Sequence, residues 1–140
     1  MGHGVQVTFD AADPHKLARW WAELLRYQIV DAHDLVTRLL TDGAVTDTEV
    51  VRIDGRLFLA DAVAASDPAG QGPRLFFQRV PEPKSAKNRV HLDVPVDASR
   101  LDDEVERLVS SGASLTGYNV YPGHRAAVMQ DPEGNEFCLH

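Results

Sequence analysis

The sequence predicts an α+β chain made of two copies of one βαβββ unit. The two modules pair into an antiparallel, cup-shaped sheet with the long helices outside. Three observations predict this. Val5, Val7 and Phe9 alternate with Gln6, Thr8 and Asp10, and Val90, Leu92 and Val94 alternate with Arg89, His91 and Asp93, the pattern of a strand with one buried face. Each of these strands is followed by a capped, amphipathic helix. The two strand–helix pairs then repeat at an offset of 85 residues, Gln6 matching His91 and Pro14 matching Ser99, which marks one unit used twice.

The elements follow in order. After the first strand, Asp13-Pro14 offers an N-cap and a proline at the first helical position, so a helix is predicted over about Pro14 to Arg26. Leu17, Trp20, Trp21, Leu24 and Leu25 supply its apolar stripe. Strands are expected near Gln28–Val30, Leu57–Ala62 and Arg74–Val80, with a short extra helix over Asp34 to Asp42 and a loop over Ala64 to Pro73. PEPKSAK, Pro81 to Lys87, resists regular structure and divides module one (residues 1–80) from module two (88–140). In module two Ser99 can cap a helix carrying Leu101, Val105, Leu108 and Val109, and Gly112 is placed to end it. Strands over Ser114–Tyr121, Arg125–Gln130 and Glu136–Leu139 complete the unit. In the cup so predicted, the polar strand faces present Gln6, Thr8, Asp10, His91 and Asp93.

Composition narrows the function. The chain has 140 residues, 44% of them hydrophobic and 25% charged, which suits one globular domain with a sizeable core. A net charge of −7 repels phosphate backbones and argues against nucleic-acid binding. No apolar run approaches the ~20 residues of a membrane span, so no membrane partner is expected. One cysteine forms no internal disulfide. The N-terminus, MGHGVQVTFD, carries neither a basic region nor an apolar core of the secretory kind. These features point to a cytoplasmic protein.

Three stretches, VQVTFDAADPHKLARWWAELLRY, RLFFQRVPEPKSAKNRVHLDV and VMQDPEGNEFCLH, resemble the vicinal oxygen chelate superfamily in its glyoxalase-like branch. The resemblance spans nearly the whole chain, and the DPEGN turn before the last strand is its most specific mark. It implies paired βαβββ modules that hold a divalent metal in many members, and it implies frequent homodimers. The ligand positions it implies fall on Gln6 and His91 of the two first strands, on Gln78 of the last strand of module one, and on Cys138, seven residues after Asp131. Two neutral amides, one imidazole and one thiol are a poor set for a hard divalent ion. Glu136 shares the face of Cys138 but lies roughly 6.5–7 Å along the strand. Zinc favours Cys and His, yet Cys138 and His91 leave it without a third strong ligand. The sequence therefore predicts a degenerate metal site and no resident cofactor, with zinc, nickel or manganese as the alternative.

The function expected is capture or sequestration of a small organic molecule without metal. Gln6, Thr8, Phe76, Gln78, His91 and Cys138 are the ligand-binding candidates. One alternative is an enzyme of the lyase, isomerase or dioxygenase kind, which would use His91 with an acidic residue, Glu136 or Asp93, or a metal. The other is a non-catalytic interaction module whose cup is filled by Phe58, Phe76 and Tyr118. Trp20 and Trp21 are adjacent on one helix and cannot share a face, so one is expected in the core and the other at a dimer contact. His3, His15, His33, His124 and His140 show no ligand spacing and are read as surface or loop residues.

Overall fold

The computed structural model describes residues 2–140. The chain divides into two compact units, Met1–Pro81 and Glu82–His140. The segment read as a linker thus begins at the division, and most of it belongs to the second unit.

The first unit opens with strand β1 (Gln6–Ala11), whose odd residues are the less exposed ones until Ala11 closes the strand buried. Helix α1 (Pro14–Leu25) starts where expected, with the Asp13 carboxylate accepting from the Lys16 N–H at 3.1 Å, and ends at Arg26 in the left-handed region. Strand β2 (Gln28–Ile29), helix α2 (His33–Thr41), a 3-10 turn (Asp47–Glu49) and strands β3 (Val50–Ile53), β4 (Arg56–Leu59), β5 (Ala62–Ser66) and β6 (Arg74–Arg79) follow. The sheet has the order β1-β6-β5-β2, while β3 and β4 form a separate hairpin. Phe9 stacks on Phe77 at 5.0 Å between centroids and meets Trp21 at 5.3 Å, which knits sheet to helix.

The second unit contains β7 (Leu92–Val94), a 3-10 turn (Ala98–Arg100), α3 (Leu101–Ser110), β8 (Ser114–Tyr121), β9 (His124–Gln130) and β10 (Glu136–Leu139), with sheet order β7-β10-β9-β8. Both four-stranded sheets therefore read first, last, third, second. The repeat is real at the level of topology, and α2 with the β3–β4 hairpin is an insertion in the first copy. Leu101, Val105 and Leu108 of α3, Ala127 and Met129 of β9, and Phe137 and Leu139 of β10 are all buried.

The structure departs from several expectations. Each sheet is mixed rather than wholly antiparallel, because β1 pairs parallel with β6 and β7 pairs parallel with β10. A helical crossover carries the chain to the far edge, and the returning meander brings the last strand beside the first in the same direction. The ladder of β7 starts only at Leu92, so Val90 is 81% exposed instead of buried. The stretch predicted as one strand and a loop, 57–73, contains the end of the β3–β4 hairpin and the whole of β5. The missed hairpin turns on Asp54 (φ 49°) and Gly55 (φ 77°), a pair suited to the positive φ of a tight hairpin turn. Ser99 does not cap α3: Asp97 caps the 3-10 turn that leads into the helix, accepting from the Ser99 N–H and Oγ, while Arg100 at the N-cap of α3 makes no side-chain cap bond. Trp20 and Trp21 are both buried, at 9% and 1% exposure, packed edge to face. Neither is left over for a subunit contact. Phe58 is core, its ring 5.6 Å from that of His15. His15 is itself buried and its Nε2 donates to the Leu59 carbonyl at 2.8 Å, while His33 Nδ1 accepts from the Leu57 N–H.

Candidate functional site

In the first unit the polar face of the sheet is closed on itself. The parallel register sets Gln6 beside Arg74, Thr8 beside Phe76 and Asp10 beside Gln78. The Arg74 guanidinium donates to Gln6 Oε1, and Gln78 Nε2 donates to Asp10 Oδ1 at 2.9 Å. Arg74 also lies over the Phe76 ring, 6.0 Å from its centroid. Both amides expected to serve a ligand are thus held in cross-strand pairs.

In the second unit the polar face opens into a pocket of about 380 Å³. Period-two geometry explains its lining. His91 and Asp93 lie two apart, Glu136, Cys138 and His140 alternate along and just past β10, and His124, Ala126 and Val128 alternate along β9. Cys138 is the direct register partner of Asp93 across the parallel β7–β10 pair. His91 Nδ1 lies 3.0 Å from Asp93 Oδ1, close enough for the carboxylate to orient the imidazole. The donor atoms of His91, Asp93 and Cys138 lie within 4.8 Å of one another. Burial, with the Asp93 charge second, pushes the Cys138 thiol above its ordinary value, against a weaker pull from Lys87. It is therefore a protonated wall group rather than a ready nucleophile.

Glu136 has a different employment. Its Oε1 accepts from Lys84 Nζ at 3.1 Å and its Oε2 from the Asn88 N–H at 3.0 Å. Asn88 continues through its side chain to Asn135 Oδ1. The carboxylate ties segment 82–88 to β10. Burial pushes the Glu136 carboxyl up, but the Asn88 and Glu136 N–H groups and Lys84 outweigh it and hold it below the ordinary 4.5. A lowered folded-state value stabilises the fold above the unfolded value and loses that contribution as pH falls through the folded one. With side chains only 25% and 13% exposed, Glu136→Gln is expected to cost about 1 kcal/mol at pH 7. Urea denaturation at pH 7 and pH 3 checks this, because the gap between variant and parent should narrow as the pH falls. An equal gap at both pH values would assign Glu136 another role.

His124 and His140, read from the sequence as surface groups, border the pocket, with rings 5.4 Å apart, and Tyr121 stacks on His124 at 5.9 Å. The signal for them was available in the alternation of β9 and β10. It is blurred because Ala126 and Ala127, on opposite faces, are both small and buried. Tyr118, expected as an apolar wall, is 37% exposed and lies under the Arg125 guanidinium at 4.9 Å.

The resemblance implies a divalent metal, and the donors test that implication. Gln6 Oε1 already accepts from the cationic Arg74 guanidinium and Gln78 is tied to Asp10 through its Nε2, so these two positions offer neutral amide oxygens rather than the anionic ones that manganese or magnesium prefers. Among the described residues no buried side-chain nitrogen or oxygen lacks a hydrogen-bond partner. The residues do not fit a hard divalent ion.

Comparison with known proteins agrees with the topology. No curated protein matches the sequence. Among solved structures, the fosfomycin resistance protein FosX from Mesorhizobium loti is 17% identical, with 100% of this chain and 92% of that chain covered and a TM-score of 0.65. A mutant FosX from Listeria monocytogenes, complexed with Mn(II) and 1S,2S-dihydroxypropylphosphonic acid, is 12% identical over 100% and 90% of the two chains, at 0.65. A glyoxalase/bleomycin resistance protein/dioxygenase family enzyme from Burkholderia phytofirmans PsJN is 16% identical over 96% and 94%, at 0.61. At such identities these likenesses establish the fold alone. No helix among the described residues is long and apolar enough to cross a membrane. The family profile of the glyoxalase-like domain matches residues 6–140, and the chain belongs to that family.

Proposed function

We propose that this chain binds a small organic molecule in the pocket on the polar face of its second sheet, without a hard divalent ion as the binding element. The observation that carries the reading is the pocket itself. Its volume of about 380 Å³ falls within the roughly 300–1,000 Å³ of small-molecule sites. Imidazoles of His91, His124 and His140 stand against the apolar Val128 and Ala126 in its wall. Such a wall suits a compact ligand with an apolar or aromatic body and one or two polar groups.

A thermal-shift screen of small aromatic and oxygenated compounds, run in chelator, tests the proposal. A ligand at 100 times its Kd stabilises by about 2.7 kcal/mol, a rise of several degrees. Hits are expected to persist in chelator and to weaken at least about tenfold in His91→Ala, the loss of one hydrogen bond to a charged or strongly polar group. Hits indifferent to His91→Ala, or abolished by chelator, would sink the reading.

A second reading has one specific support. The His91–Asp93 pair, at 3.0 Å, is the arrangement of a proton-transferring imidazole oriented by a carboxylate. Under that reading the bound molecule is a substrate, His91 moves its proton and Asp93 holds the ring. Conversion of a hit, lost in His91→Ala and impaired in Asp93→Asn with KM preserved, would favour enzyme over binder.

A further inference from the structure

We propose that Lys87 makes the pocket selective for organic anions, its ammonium group taking the carboxylate of a compact organic acid. This rests on the reading of the pocket as a small-molecule site. Two carboxylates stand in the pocket wall, and both are engaged. Asp93 faces His91 at 3.0 Å, and Glu136 accepts from Lys84 Nζ at 3.1 Å and from the Asn88 N–H at 3.0 Å. Lys87 lines the same pocket, yet among the described residues no carboxylate pairs with it. Its ammonium donates to the carbonyl of the adjacent Asn88 at 3.2 Å, at the long end of the normal range. A charged acceptor makes a shorter and stronger bond and would displace that carbonyl.

The lysine is also held where it can act. Glu136 grips Lys84 on one side of it and Asn88 on the other, so the stem of Lys87 rises from a fixed rim. Around the pocket Lys84 and Lys87 balance Asp93 and Glu136, on a molecule whose net charge is −7. An anion therefore meets less repulsion here than over most of the surface. Burial and then Asp93 push the Cys138 thiol up, and Lys87 pulls against them, so the lysine's charge is felt inside the pocket. With a carboxylate at Lys87, the apolar body of the acid would lie along Val128 and Ala126.

Isothermal titration calorimetry in chelator tests this with benzoate and phenylacetate against benzamide, phenylacetamide and benzylamine. At pH 8 imidazoles are ordinarily neutral and carboxylic acids ionised, which leaves the lysine as the cation that discriminates. The acids are expected to bind at least about tenfold tighter than the amides of the same shape, the scale of a hydrogen bond to a charged partner. Lys87→Met should remove that preference and leave the amides unchanged, while Lys87→Arg should keep it. His124→Ala should leave the acid-to-amide ratio as it is in the parent. Raising the salt tenfold should weaken the acids and not the amides. Circular dichroism melts establish that the variants fold. Acids that bind no better than amides or benzylamine, or a preference that survives Lys87→Met, would overturn the inference and leave the pocket's proposed function standing. Silence from every probe would overturn it as well, and the wider thermal-shift screen then decides whether the proposed function falls with it.

Discussion

Phe137→Ala is expected to lower the unfolding free energy by about 3–5 kcal/mol, the usual cost of emptying a large buried aromatic site. Phe137 and Leu139 are both 0% exposed, whereas Cys138 between them is only part-buried and borders the pocket. The cost combines lost transfer energy with a cavity that the neighbouring Met129, its register partner on β9, fills only in part. Cys138→Ser exchanges one sulfur for a hydroxyl at a wall position and is expected to cost less than about 1.5 kcal/mol. Urea denaturation of the two variants gives the ranking directly. A larger loss in Cys138→Ser would mean that β10 presents the opposite face to the core, and the assignment of pocket residues on that strand would fall with it.

The parts of the fold legible in the sequence were those where one face is buried and the other wet. β1, β6 and β10 appear within about a residue of where the sequence placed them, as does β8, although nearly all of its residues are exposed. β5 carries no such signal because its residues Val63, Ala64 and Ala65 are all buried, so small side chains on both faces erase the period of two. The β3–β4 hairpin does carry a local signal, Asp54-Gly55 between two apolar runs, which is the plainest mark of a hairpin. Strand direction is not written in alternation at all, which is why the parallel edge pairs were invisible. The same limit applies to the site. His91 and Cys138 were legible because a motif and a period placed them. Their convergence with Asp93, and the approach of His124 to His140, are products of inter-strand register, which links residues dozens of positions apart. Gln6 and Gln78 were legible as positions but not as occupied ones, since their partners Arg74 and Asp10 face them only across the parallel pair.

Asp131→Ala is expected to cost about 2–4 kcal/mol, because it leaves several buried donors without an acceptor. Asp131 is 2% exposed and Asn135 9%. One carboxylate oxygen accepts from the N–H groups of Glu133 and Asn135 at 2.9 and 3.0 Å, and the other from Asn135 Nδ2 at 2.9 Å. Gly134, at φ 89°, makes the reversal that an L side chain resists. Asn135 passes the constraint on through its Oδ1 to Asn88, whose N–H meets Glu136. The turn thus fixes where β10 begins and, through that register, sets Cys138 beside Asp93. Asp131→Asn should cost less than the alanine, since one oxygen is kept while the new amide opposes Asn135 Nδ2. Chemical denaturation measures both, and amide hydrogen exchange along β10 reads the register separately. A folded variant that loses stability yet keeps the β10 amides protected would show the register secured by Phe137 and Leu139 in the core alone. Weakening of both together would show that the turn, forty residues beyond His91 in sequence, is part of what holds Cys138 beside Asp93.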